Sequence, residues 1–87
     1  MSNEERGYYM RSFNAVLDYL YKNKVPAKFV YNDGREQVVH IISYDKFNII
    51  CEDKEENKSC VVFKHALKKV ETEINLKGVI EKDREND

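Results

Sequence analysis

The sequence predicts a mainly β domain in which one amphipathic helix precedes five short antiparallel strands that close into a small, strongly bent barrel. Three observations predict it. Apolar residues recur at helical spacing from Tyr9 to Leu20. The only proline, Pro26, stops that pattern. Beyond it, β-rich runs are separated by turns and loops too short for a parallel crossover, which makes the arrangement an antiparallel meander.

In the helix, Tyr9, Phe13, Val16, Leu17 and Leu20 form one apolar stripe, with Arg11, Asn14 and Asp18 facing away. It is expected to end near Asn23 and to cap one open end of the barrel. Val25 to Tyr31 suits a strand, and Asn32-Asp33-Gly34 signals a tight hairpin because Asp-Gly tolerates positive φ. Gln37 to Tyr44 is long enough to bend and serve both walls of a barrel. Ser43-Tyr44-Asp45-Lys46 turns the chain into Phe47 to Cys51, and a polar loop from Glu52 to Lys58 leads to a strand over Ser59 to Phe63. After Lys64-His65-Ala66 comes the last strand, Leu67 to Glu71. The chain is thus divided into a flexible start (1–7), one domain (8–72) and an acidic tail (73–87), mostly disordered from Ile74 onward.

At 87 residues, 36% of them charged and 41% apolar, the chain has one thin core, and its unpaired first or last strand offers an edge for pairing between subunits. The net charge of −1 averages over unlike segments. Residues 1–70 stand at +2 and residues 71–87 at −3, while the loop from Glu52 to Lys58 contributes −2. The body is therefore mildly basic, which permits RNA binding without establishing it. No apolar run approaches the roughly 20 residues of a membrane span, and the acidic start Met1-Ser2-Asn3-Glu4-Glu5 is unlike a signal peptide. The expectation is a soluble, cytoplasmic protein with no membrane partner.

Val25-Pro26-Ala27-Lys28-Phe29, Asn32-Asp33-Gly34, Ser43-Tyr44-Asp45-Lys46-Phe47 and Val62-Phe63-Lys64-His65-Ala66-Leu67 follow one another in an order and spacing that resemble the bacterial Hfq branch of the Sm-like proteins. The resemblance runs over roughly residues 13–71, with a longer loop between the third and fourth strands. It implies a helix on a bent five-stranded barrel, assembled into a homohexameric ring that acts as an RNA chaperone in post-transcriptional regulation and the stress response. The implied partners are small regulatory RNA and mRNA, bound as U-rich single strands around the pore.

The positions that match the pore site are Lys46 and Phe47 in the turn after the second strand, Lys64 and His65 in the turn after the fourth, and Asn14 on the helix. An aromatic face stacks an unpaired base, and Lys64 and His65 can donate to carbonyl and backbone oxygens. The arginine-rich rim of the family is represented by Tyr21, Lys22 and Lys24, a weaker set because lysine lacks the planar fork of arginine. On the opposite, A-rich-binding face, Val30, Glu36 and Val38 stand where the family has a tyrosine and polar residues. Val39 occupies a position that often holds glycine, so the bend must be made another way. These departures support an alternative reading, a ring with weakened RNA binding that serves as a protein-interaction scaffold.

Taken without the resemblance, Phe47 reads as a core aromatic at a strand start, and Lys64-His65 as a charged turn. His40 reads as structural or interfacial. Lys68 and Lys69 read as protection of an edge strand, and the surplus tyrosines Tyr8, Tyr9, Tyr19 and Tyr21 as buried or subunit-packing groups. Cys51 and Cys60 flank the charged loop and can face each other across a hairpin, as reduced thiols. Their spacing, even with His40 and His65, matches no strong zinc pattern, so no metal or cofactor is expected. With no glycine-rich phosphate loop and no nucleophile elbow, no enzymatic activity is expected.

Overall fold

In a computed structural model of the chain, residues 3–85 are described, with side-chain detail for residues 12–82. Helix α1 spans Asn3–Lys22, followed by β1 (Ala27–Tyr31), β2 (Glu36–Tyr44), β3 (Asn48–Asp53) and β4 (Lys58–Phe63). A single 3-10 turn (Lys64–Ala66) leads into β5 (Leu67–Glu71), and helix α2 (Leu76–Glu85) closes the chain. The stretch expected to be flexible, 1–7, is helical from Asn3, and Met1 and Ser2 lie outside the described residues. So do the side chains of Tyr8, Tyr9 and Arg11.

All five strands join one antiparallel sheet in the order β4-β3-β2-β1-β5. The first four form the expected meander, but β5 leaves it and pairs with β1. A flat sheet would hold β4 and β5 roughly 19 Å apart, four spacings of about 4.8 Å. The step from Phe63 to Leu67 spans less than that even fully extended, at about 3.3–3.6 Å per residue. The sheet therefore curls until its two edges approach, which is the expected barrel. Curvature is helped by a register irregularity in β2 between Ile41 and Ser43, which supplies the bend that glycine does not.

The hairpin between β1 and β2 is the one Asn32-Asp33-Gly34 predicts. Gly34 takes φ +93, its N–H donates to the Tyr31 carbonyl at 2.9 Å, and Asp33 Oδ1 accepts from Arg35 N at 3.0 Å. The core gathers Val16, Leu17 and Leu20 of α1 against Phe29, Val39, Ile41, Ile49, Cys51 and Val62 of the sheet, so the predicted stripe is the face that caps the barrel. Phe29, Leu17 and Leu20 are fully enclosed.

The segment expected to be mostly disordered is instead ordered as α2. Asn75 Oδ1 accepts from Lys77 N at 3.0 Å, a side-chain cap on the first turn. Ile74, Leu76 and Ile80 pack against the core. Leu76 and Ile80 on one face of α2, with Ile74 just before the helix, offset the ordering entropy that the charged composition alone suggested could not be met. Among the described residues, no helix is long and apolar enough to cross a membrane.

Candidate functional site

Two turns distant in sequence are joined by a backbone hydrogen bond. In the β2–β3 turn, Asp45 Oδ1 accepts from Phe47 N at 2.9 Å and from Asn48 N at 2.7 Å, and Asp45 N donates to the Asn48 carbonyl. These bonds, first that from Phe47, hold the Asp45 carboxyl below the usual carboxylate range. Lys64 N then donates to the Phe47 carbonyl at 2.9 Å, joining the 3-10 turn to this one. From the other side, Asn32 N donates to the Ala66 carbonyl and Asn32 Nδ2 to the His65 carbonyl, both at 2.9 Å.

The side chains at this junction divide into a half-buried cation and an exposed aromatic. Lys64 Nζ lies 5.6 Å from the Phe13 ring centroid and 5.7 Å from that of Tyr44, and donates to Asn14 Oδ1 at 2.9 Å. Partial burial lowers its pKa, an effect opposed by the charge of Asp45. Among the described residues, no carboxylate forms an ion pair with Lys64. Phe47 is 66% exposed, with Lys46 Nζ 5.4 Å from its ring centroid. The core reading of Phe47 is therefore corrected: the Asp45 turn reverses the chain before β3 begins and leaves the ring outside. His65 is exposed and stacks on Phe63, centroids 6.0 Å apart and planes 8° from parallel.

The structure thus brings Asn14, Lys46, Phe47 and Lys64 to one place, with His65 on the same pair of turns. The sequence placed Phe13 in the helix stripe and Tyr44 and Asp45 in the turn, but did not show that Phe13 and Tyr44 flank the lysine or that the Asp45 carboxylate shapes the turn. For Asp45 the signal was available, since an aspartate just ahead of a strand is a common turn-former.

The helix-end residues form a different surface. Tyr21 is exposed, but Lys22 is paired with Asp18 at 2.8 Å, a contact that raises the lysine pKa. Lys24 adopts φ +53 where α1 stops, followed by Val25 N donating to the Leu20 carbonyl at 3.0 Å. On the opposite face Val30 is buried, Glu36 pairs with Lys28 at 2.8 Å, and Val38 is exposed. Neither a stacking ring nor an unpaired polar group stands at these three positions. His40 is half-buried in β2, in register with Glu52 of β3. In β5, Lys69 pairs with Glu71 at 2.7 Å, while Lys68 is exposed. Cys51 and Cys60 are both free, and no cluster of three metal-ligating side chains occurs among the described residues.

A helix laid across a curled five-stranded antiparallel sheet of this strand order is an Sm-like fold, here with a second helix added at the end. It is the fold of Hfq: a crystal structure described as "the pleiotropic translational regulator, Hfq" matches with a TM-score of 0.64 and 19% sequence identity, over 84% of this chain and 98% of that one. At that identity the likeness concerns the fold. No family model matches the sequence, and no curated protein matches it significantly.

Proposed function

We propose that the chain binds single-stranded, U-rich RNA around the pore of a homohexameric ring and acts as an RNA chaperone in post-transcriptional regulation. The observation that carries this reading is the junction of the two turns. It holds a lysine that is not ion-paired among the described residues beside a polar Asn14, and keeps the aromatic face of Phe47 exposed on the adjoining turn. Phe47 stacks an unpaired base. Lys64, released from Asn14, donates to a uracil carbonyl, and Lys46 and His65 meet the backbone oxygens.

Ring assembly is supported by the edges of the sheet. Both β4 and β5 are edge strands, and β4 presents Val61 and Phe63 at 58% and 55% exposure, an apolar edge suited to pairing with another copy. A ring repeats the small site, so linked nucleotides gain avidity. The scaffold reading draws on the ion-paired Lys22 and the buried Val30, which leave the rim and opposite face poor in RNA-binding groups.

The test is fluorescence anisotropy with labelled six-nucleotide oligo-U and oligo-A at two salt concentrations, with the oligomeric state measured by light scattering. Salt-sensitive binding of oligo-U with little binding of oligo-A is expected. Failure to bind either RNA, by a protein that assembles, would overturn the RNA reading in favour of the scaffold.

A further inference from the structure

Cys51 and Cys60 sit directly opposite each other in the β3–β4 ladder, with their Sγ atoms 3.2 Å apart. The two thiols differ in access. Cys51 is fully buried in the core, whereas Cys60 is half-buried and lines a surface groove of about 480 Å³ together with Tyr31, Gln37, Asp53 and Phe63. The groove carries an ordered polar relay. The Tyr31 hydroxyl donates to Gln37 Oε1, which orients the amide so that Gln37 Nε2 donates to Asp53 Oδ2 at 2.7 Å and to Cys60 Sγ at 3.6 Å.

We propose that Cys51 and Cys60 form a dithiol site that low-molecular-weight disulfides oxidise reversibly, with Cys60 the attacking thiol and Cys51 the resolving one. A disulfide needs the sulfurs to close from 3.2 Å to about 2.05 Å, a shift of about 1 Å that side-chain rotation in adjacent strands can supply. Gln37 Nε2 donates to Cys60 Sγ and holds it in the groove, where a small disulfide can reach it. Burial pushes the Cys51 thiol up, with further contributions from the contact with Cys60 and the charge of Asp53, so Cys51 is the poorer first nucleophile.

The exchange balances with oxidised glutathione as oxidant. Cys60 loses its proton and attacks one glutathione sulfur. That S–S bond breaks, the departing thiolate takes up a proton, and a mixed disulfide remains on Cys60. Cys51 then loses its proton and attacks Cys60 Sγ, the mixed bond breaks, and the second glutathione leaves as a thiol. Two protein thiols have given up two electrons and two protons, and one small disulfide has become two thiols. The bond would tie the centre of β3 to edge strand β4 immediately beside the acidic loop.

The test is intact-mass spectrometry of the full chain in oxidised glutathione, with far-UV circular dichroism in parallel and peptide mapping of the product. The expected product has lost two hydrogens, carries a Cys51–Cys60 bond, keeps its β signal and reverts in dithiothreitol. In Cys51→Ser, a stable single glutathionyl adduct on Cys60 is expected, whereas Cys60→Ser should remain unmodified while folded. No reaction of the native chain, accumulation of glutathionyl adducts without closure, or closure only with loss of the β signal would each overturn the proposal. Glutathionylation of folded Cys60→Ser as fast as of Cys51→Ser would overturn the assigned order.

Discussion

The β2–β3 and β4–β5 turns and the end of α1 both present lysine beside an aromatic, yet they are built differently. At the turns, two backbone reversals are tied to each other and to the β1–β2 hairpin by hydrogen bonds, and the ammonium of Lys64 rests on a neutral amide between two rings. At the helix end, Lys22 is satisfied one turn back by Asp18. An ammonium on a neutral acceptor keeps its charge for an incoming anion or carbonyl. One already paired with a carboxylate must break that pair first. The same residue types therefore leave a lysine without a carboxylate partner among the described residues in one place and make a solvated ion pair in the other.

The largest effect that follows is on Lys64. Truncation in Lys64→Ala is expected to weaken oligo-U binding about thirtyfold, since a hydrogen bond to a charged group contributes about 1.5–3 kcal/mol, while light scattering shows the assembly unchanged. Unaltered affinity would erase the distinction between the two regions. Next, Phe47→Ala removes one stacking platform, expected to cost about 1–3 kcal/mol per stacked base. Its melting temperature should stay close to that of the parent because the ring is exposed, and a fall in stability without loss of binding would return Phe47 to a packing role.

Asp45→Ala sharpens the comparison at the level of the turn. The variant loses both acceptor bonds that shape the loop and is expected to melt a few degrees lower and to bind oligo-U severalfold more weakly. Because the folded pKa of Asp45 is depressed, its stabilisation is complete above the unfolded value of about 3.9 and is lost as pH falls through the lower folded value. The melting difference between parent and variant should therefore shrink in thermal scans below about pH 4; a difference that persists there would mean the carboxylate is not the cause. The smallest effect is predicted for Lys22→Ala, whose oligo-U affinity should change by less than about twofold, given how little an exposed ion pair contributes. A loss as large as that of Lys64→Ala would show that the rim binds as strongly as the turns.

Much of this was legible in local sequence. Asp33-Gly34 announces its hairpin, and Val16, Leu17 and Leu20 announce the buried face of α1, because both depend on backbone geometry and periodicity within a few residues. Helix α2 was hidden by composition. Its apolar residues Leu76, Val79 and Ile80 recur at helical spacing behind Asn75, but they are embedded among charges that read as a solvated tail. The Asp18 partner of Lys22 was also missed, and periodicity alone put Phe47 in the core because a strand-start aromatic usually packs inward, whereas the family resemblance implied the exposed ring that is found.

By itself, then, the sequence determined the helix, the five strands, the turns between them and the residue types carried at each turn, since propensity, glycine freedom and side-chain capping act over short distances. Only the tertiary structure decided that β5 returns to β1, because closing a curled sheet satisfies an edge no local signal describes. It also decided that Asn14 meets Lys64 and that Cys51 meets Cys60. Those contacts depend on how the sheet curls under the helix and on which strands become neighbours, and both are set by burial of the shared core.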